Sequence, residues 1–193
     1  MTWSHTPSLP TLLWISLAIP FTIWDSLYMF LRPHTLPGQK WHSPIWSLYG
    51  TYASVDHMYN HQAWEEKDGF AVAQCVGSLI ECALYAWYGA LVWKYGDGRK
   101  LWAVGEKEGG KACVVGLVAG SMATGKTMLC VLSEVFGDFH HLGHNDLLTV
   151  LLVWAPIVCI YFSASLHMIY VFGGDIIRGL TVASGGEKQR KIV

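Results

Sequence analysis

Four long apolar stretches are the feature of this sequence that most constrains its fold. A helix that crosses a bilayer needs about 20 mostly apolar residues, and the four stretches run from Leu12 to Leu31, Phe70 to Trp93, Ala112 to Phe136 and Leu147 to Phe172. Only 14% of the 193 residues are charged, against about 25% in soluble domains. We therefore predict an all-α protein, a polytopic bundle of four transmembrane helices that forms a single membrane domain over residues 1–193.

Composition narrows the classes of partner and cofactor. The formal net charge of −1 leaves no basic face for nucleic acid, so membrane lipids are the expected surroundings. The five cysteines all lie in apolar stretches, and we interpret them as small buried residues and not as a disulfide framework or a redox or metal centre. His57 and His61 are four residues apart, but no cysteine or carboxylate completes a zinc ligand set around them. We predict no metal and no cofactor.

The distribution of basic residues predicts the orientation in the membrane. With four spans, the N-terminus, the loop from Lys94 to Lys111 and the tail over residues 173–193 share one face, which carries nine basic residues against three on the other. Basic residues are retained on the cytoplasmic side, so both termini should be cytosolic. The last four residues, RKIV, loosely match a dilysine signal for the endoplasmic reticulum, although a solvated basic tail explains them equally well.

The loop between the first two spans, from Arg32 to Gly69, is unusually aromatic. Tryptophan and tyrosine favour the headgroup region, where an apolar ring and a polar edge are both satisfied. Ser47 to Tyr59 contains no proline and a single glycine, which favours a short interfacial helix. The pattern predicts a lumenal aromatic loop that caps the bundle.

Residues 120–127 read GSMATGKT and fit the phosphate-binding pattern G-x-x-x-x-G-K-[ST] at every fixed position. That pattern works only where a parallel sheet presents the loop to water, and here the surrounding stretch is long enough to span a bilayer. Glycines at 116, 120 and 125 have an alternative role, because small residues let membrane helices approach closely. Lys126 then lies within a span and must snorkel, face a wet cavity or pair with a carboxylate.

Three acids lie within the predicted spans: Asp25, Glu81 and Glu134. Each costs on the order of 3 kcal/mol to place in a membrane, so each is a candidate functional residue. Two carboxyls near an apolar cavity suit proton-driven alkene chemistry, because one can hold a proton while the other acts as a base. We predict Asp25 and Glu81 to be catalytic, whereas Glu134 should be a structural acid at a helix end. Aromatic side chains that could stabilise a carbocation are Trp24, Tyr85, Trp87, Tyr88 and Trp154, and all of them except Trp87 are also predicted to bind substrate.

Several motifs, in this order and spacing, resemble the emopamil-binding protein or EXPERA-domain family over about residues 17–171. They are IPFTIWD at 19–25, IWSLY at 45–49, DHMY at 56–59, LIE at 79–81, LSE at 132–134 and LTVLLVWAP at 148–156. The resemblance implies a small helical bundle around a lumen-facing pocket of sterol size, with Asp25 and Glu81 matching the ligand-binding acids. The chain departs from the sterol isomerases of that family at Phe21, where they carry a histidine, and at Thr149, where they carry an asparagine. We predict Thr149 to be a substrate-binding residue.

The expected function is therefore a membrane-bound isomerase or terpene cyclase of the endoplasmic reticulum that acts on a sterol or terpenoid through a carbocation. The alternative is a non-catalytic sterol-binding or trafficking protein of the sigma-two receptor type, which the last helix resembles. Binding a cationic ligand would need one acid, whereas turnover should need two. A homodimer is left open.

Overall fold

The computed structural model describes residues 3–190, with the side chains of 186–190 left out of the description, and it is 75% helical. The predicted all-α class is therefore confirmed. Residues 191–193, which complete the predicted dilysine-like end, lie outside the described residues.

Four helices within the described part of the chain are long and apolar enough to cross a membrane, as predicted. They are α1 (Leu9–Phe30), α4 (Phe70–Tyr95), α5 (Glu106–Phe136) and a last span in which α6 (Leu147–Thr149) continues through a π-helical turn (Val150–Trp154) into α7 (Ala155–Arg190). The 22 residues of α1 extend about 33 Å, enough for a hydrocarbon core of about 30 Å. The protein is thus a multi-pass membrane protein.

Two of the helices extend beyond the apolar stretches by six residues or more. Helix α5 begins at Glu106, six residues before the predicted start, and α7 continues past Phe172 to Arg190. Hydropathy marks the residues that need an apolar environment, whereas a helix can continue into water when its polar residues are good helix formers. The predicted tail from residue 173 is therefore helical as far as it is described.

The aromatic loop folds into short helices, including one inside the predicted range of residues 47–59. Helix α2 (Leu48–Val55) is followed by a 3-10 turn (His57–Tyr59) and by α3 (His61–Glu65). Asp56 separates the first two because its side chain accepts a hydrogen bond from the backbone N–H of Met58 at 3.1 Å. Such caps satisfy the backbone donors at the start of a helical turn.

A small antiparallel sheet was not predicted. Strands β1 (Ser4–His5), β2 (Gly96–Asp97) and β3 (Ala103–Gly105) pair in the order β1-β3-β2. His5 lies opposite Val104 in this sheet. Strands of two or three residues are too short to show an alternating pattern, so only the fold reveals them.

The contacts divide the chain into two compact units. Unit 1 contains residues 1–19, 81–122 and 164–193, and unit 2 contains residues 20–80 and 123–163. The core of unit 1 includes the fully buried Tyr88, Cys113 and Phe172, and the core of unit 2 includes Tyr28 and Tyr49. Each long helix contributes to both units.

Residues 120–127 lie inside α5, so the phosphate-binding pattern is carried by a continuous helix and forms no phosphate-binding loop. Two of the three predicted packing glycines make close helix contacts. A Cβ atom at Gly116 would lie 2.2 Å from the ring of Phe172, and one at Gly120 would lie 3.1 Å from the Cβ of Met168. A Cβ at Gly125 would meet nothing within 4 Å, so the packing role predicted for Gly125 is wrong.

Gly116→Ala should destabilise unit 1, because the ring of Phe172 is fully buried and cannot move away from the added methyl group. Overpacking of this kind costs about 1–3 kcal/mol. The matched control is Gly125→Ala, which adds the same methyl group to the same helix in open space. Melting temperatures in detergent micelles measure both, and equal stability of the two variants would contradict the close packing.

Candidate functional site

Asp25 lies near the end of α1, where three elements of unit 2 bring donors to its carboxylate. The hydroxyl of Tyr49, from α2, donates a short hydrogen bond to Oδ1. The hydroxyl of Tyr59 donates to Oδ2 at 3.4 Å, and the thiol of Cys75, from α4, lies 3.8 Å from the same oxygen. The carboxylate thus receives its hydrogen bonds from the aromatic loop and from the next transmembrane helix.

Aromatic rings pack around this carboxylate. The ring of Tyr49 stacks on that of Tyr28 with centroids 4.0 Å apart and planes 9° apart, and it lies 4.9 Å from Trp24 and 5.6 Å from Tyr59. Tyr28 is fully buried, and its hydroxyl donates to the backbone oxygen of Tyr59 at 2.8 Å. We call Asp25 and the four aromatic residues around it, Trp24, Tyr28, Tyr49 and Tyr59, the Asp25 cluster.

Two tryptophans fasten the aromatic loop to α1. The indole N–H of Trp24 donates to the backbone oxygen of Ile45 at 3.2 Å, and the indole N–H of Trp46 donates to the backbone oxygen of Trp24 at 3.3 Å. Indole N–H groups usually find such acceptors when the ring is packed. This exchange keeps the start of α2, and hence Tyr49, beside Asp25.

Electrostatics keep the phenols of the cluster protonated. Burial raises the pKa of Tyr49 and Tyr59 well above the ordinary value for tyrosine, and the nearby Asp25 carboxylate raises both further. Both hydroxyls therefore remain hydrogen-bond donors at neutral pH. The role of the tyrosines is to donate to the carboxylate.

A second acid of the loop lies next to the cluster. The hydroxyl of Tyr52 donates to Asp56 at 3.3 Å, and the Tyr52 ring packs on those of Tyr49 and Tyr59. Burial raises the pKa of Asp56 from 3.8 to about 6, although the hydrogen bond from the Met58 N–H acts against that rise. Asp56 can therefore take up or release a proton close to neutral pH.

Lys126, whose surroundings the sequence left open, points toward α4 within unit 2. Its ammonium donates to the hydroxyl of Ser78, and Gln74 donates to its backbone oxygen at 3.2 Å. Its positive charge also acts on the Asp25 carboxylate. Pairing of opposite charges is one way to place a lysine at membrane depth, so the charge of Lys126 is part of the surroundings of Asp25.

Glu134 lies in the last turns of α5, where the sequence predicts a structural acid. Its buried carboxylate is 2.7 Å from Nδ1 of His141, whose Nε2 is 2.9 Å from the carboxylate of Asp68. The imidazole thus bridges the end of α5 to the residues just before α4. This arrangement holds the loop after α5 against the aromatic loop.

The three predicted site residues on α4, Glu81, Tyr85 and Tyr88, belong to unit 1. The side chain of Glu81 is buried. The hydroxyl of Tyr85 accepts a hydrogen bond from the indole of Trp14 at 3.5 Å, and that of Tyr88 lies 3.0 Å from Nε2 of His5. Of the predicted catalytic and binding residues, the structure thus brings Trp24 to Asp25, whereas Glu81, Tyr85 and Tyr88 lie in the other unit.

Thr149 and Trp154 lie on the last span, in unit 2. The hydroxyl and the backbone N–H of Thr149 both donate to the carboxylate of Asp146, at 2.7 and 3.0 Å, which caps the start of α6. These bonds lower the pKa of Asp146. Trp154 is half-buried in the π-helical turn.

Four residues that contact Asp25 or its partners were not among the predicted site residues: Tyr28, Tyr49, Tyr59 and Cys75. Two of them stood in motifs, the W-x-x-Y at 46–49 and the D-x-x-Y at 56–59, whose tyrosines mark the donors. Cys75 and Tyr28 carry no local pattern that separates them from packing residues.

Comparisons with models of protein families, with curated proteins and with solved structures find no match for this chain.

The tyrosine with the shorter hydrogen bond to Asp25 should contribute more to the free energy of unfolding. Tyr49→Phe removes the short bond to a buried carboxylate and should cost about 1.5–3 kcal/mol, whereas Tyr59→Phe, with a bond of 3.4 Å, should cost about 1 kcal/mol or less. Tyr170→Phe is the matched control because Tyr170 is 82% exposed on α7. Melting temperatures in detergent test this ranking, and a larger effect at Tyr170 than at Tyr49 would contradict it.

Proposed function

We propose that the protein is a membrane-bound isomerase or cyclase that acts on a sterol or terpenoid through a carbocation. The observation that carries the proposal is the Asp25 cluster, a carboxyl group within a membrane span that is held by tyrosine hydroxyls and surrounded by aromatic rings. Those features suit the protonation of an alkene and the stabilisation of the resulting cation.

The first step is protonation of an alkene. The O–H bond of a carboxylic acid breaks, a C–H bond forms at one alkene carbon, and the other carbon becomes a cation while the acid becomes a carboxylate. An apolar environment favours the protonated acid before this step. Phenol O–H donors stabilise the carboxylate after the step, because charge-assisted hydrogen bonds are about twice as strong as neutral ones.

The second requirement is shelter for the cation. Faces of tryptophan and tyrosine rings attract positive charge, and Trp24, Tyr49 and Tyr59 all lie around Asp25. A carboxylate then takes a proton from a carbon next to the cation, and the electrons of the broken C–H bond form the product alkene, so atoms and charge balance without any redox partner or cofactor. From the sequence we expect Glu81 to carry out one of the two proton transfers, and the variants below test that role separately.

A second function has its own support. One carboxylate among aromatic faces also suits a ligand that carries an ammonium group. Of the two predicted catalytic acids, Asp25 belongs to the Asp25 cluster and Glu81 does not. This favours a non-catalytic binding or trafficking protein for sterol-like ligands. The alternative needs Asp25 alone, and that difference separates the two functions.

Family membership and location are part of the proposal. The motif tyrosines at 49 and 59 both meet Asp25, which supports kinship with the emopamil-binding protein family, since one cluster then accounts for three of the motifs. We place the protein in the endoplasmic-reticulum membrane. The excess of basic residues on one side supports a topology with both termini in the cytosol.

Asp25→Asn and Glu81→Gln should each reduce product formation by about 10⁴-fold, the upper range for acid–base groups, because each keeps the shape of the side chain but removes its ability to ionise. A neutral substrate should still bind, since apolar walls supply most of the affinity for such ligands. The assay incubates membranes containing the protein with sterols and prenylated compounds and detects products by mass spectrometry.

Asp97→Asn is the control for these variants, because Asp97 is exposed and caps the turn after β2, outside the Asp25 cluster. Turnover that survives in both site variants would rule out these two carboxyl groups as the catalytic groups. Loss of cationic-ligand binding in Asp25→Asn alone, with no product from the wild type, would instead support the binding protein.

The orientation predicts that a glycosylation acceptor introduced near Gln62 is modified, because the aromatic loop then faces the lumen. A reporter fused to the C-terminus should read as cytosolic. A control acceptor placed near Arg99, in the loop between α4 and α5, should stay unmodified. The reverse pattern would invert the proposed topology.

A further inference from the structure

Unit 1 contains a second polar cluster, which the proposed function does not use. It consists of His5, Tyr88, Cys113, Asp175 and Arg178, and we call it the His5 cluster. The side chains of His5 and Cys113 are fully buried and Asp175 is 8% exposed. Three chemically different ligand groups, an imidazole, a thiol and a carboxylate, therefore meet away from bulk water.

The geometry of these three groups suits a metal ion. One ligand atom from each of His5, Cys113 and Asp175 lies within 4.8 Å of the others. Zinc binds nitrogen, sulfur and oxygen at about 2.0–2.3 Å, so its tetrahedral ligands are about 3.3–3.8 Å apart. A zinc ion between Nδ1 of His5 and the Asp175 carboxylate would replace the hydrogen bond of 2.7 Å that now joins them, and these two atoms would move apart by about 1 Å or less. We infer that His5, Cys113 and Asp175 form a zinc site.

The position of each ligand is set by the local fold. His5 belongs to β1 and is held opposite Val104 by the sheet. Helix α5, which carries Cys113, begins close to that sheet because residue 109 is a glycine. A Cβ atom there would lie 2.6 Å from the backbone oxygen of Val104 and 3.4 Å from the Cβ of His5. Gly109 thus permits the approach that brings the thiol and the imidazole together.

Two further residues hold the ligands in place, as outer groups do in zinc proteins. Arg178 donates to Oδ1 of Asp175 at 2.5 Å, and the other oxygen lies 2.7 Å from Nδ1 of His5. The second ring nitrogen of His5 lies 3.0 Å from the hydroxyl of Tyr88. With Nδ1 of His5 bound to the metal beside Asp175, Nε2 keeps the hydroxyl of Tyr88 as the hydrogen-bond partner that orients the ring.

A simple hydrogen-bond network that anchors the N-terminal strand is the competing explanation. His5, Asp175 and Tyr88 would be enough for that purpose, and a thiol at residue 113 would add nothing to it. Zinc, in contrast, uses the thiolate, and it would tie β1, α5 and α7 to one centre. Because the three ligands come from three separate segments of unit 1, a bound zinc ion should stabilise this unit, with the fourth position of the metal left for water.

The test uses the full chain in detergent micelles, purified with a tag that lacks histidine and stripped of metal by a chelator. After addition of Zn²⁺ and gel filtration, elemental analysis should find one zinc ion per chain. Co²⁺ added to the stripped protein should give a sulfur-to-cobalt charge-transfer band. A chain that retains no zinc and shows no such band overturns the proposal without any variant.

Variants assign the ligands. Cys113→Ser should abolish the cobalt band and weaken zinc binding by more than about 100-fold, and Tyr88→Phe, which removes an outer group, should weaken it by about 10-fold. Cys82→Ser is the matched control, because Cys82 is also a buried thiol of unit 1 but lies outside the cluster. Equal losses in the Cys82 and Cys113 variants would also overturn the site. If Cys113→Ser does not fold, the wild-type cobalt spectrum still decides.

Discussion

A carboxylate inside a membrane-spanning helix is the constraint on which the structure of unit 2 depends. Placing Asp25 in α1 is costly unless donors and a positive charge come to it. The aromatic loop supplies the hydroxyls of Tyr49 and Tyr59, and α5 supplies the charge of Lys126. A loop of nearly forty residues thus contributes two of the donors to a single acidic group.

Unit 1 contains a second buried carboxylate, which is held by different chemistry. Asp175 lies on α7, and its two oxygens are occupied by Arg178 and His5. The histidine comes from a two-residue strand at the start of the chain, held by pairing with β3. In both units, a buried carboxylate on a long helix contacts a segment that lies outside the spans. That segment becomes ordered because a buried acid without partners would cost several kcal/mol.

The match to a phosphate-binding loop shows how context changes the meaning of a motif. The same glycines and lysine that would cradle a phosphate at the end of a strand lie inside a helix here. There Gly116 and Gly120 admit side chains of α7, and Lys126 provides charge near Asp25. Eight residues cannot distinguish these roles, whereas the length of the apolar stretch around them can.

The sequence alone determined the number of spans, the helical class and the approximate place of the acids, because hydropathy over about 20 residues reflects a strong and local requirement of the bilayer. It also located a short helix in the aromatic loop. Only the tertiary structure decided which groups meet: Tyr28 and Cys75 join Asp25, and His5, Cys113 and Asp175 converge from segments more than sixty residues apart. Such contacts depend on helix rotation and on close approach at single glycines, and neither leaves a periodic pattern along the chain.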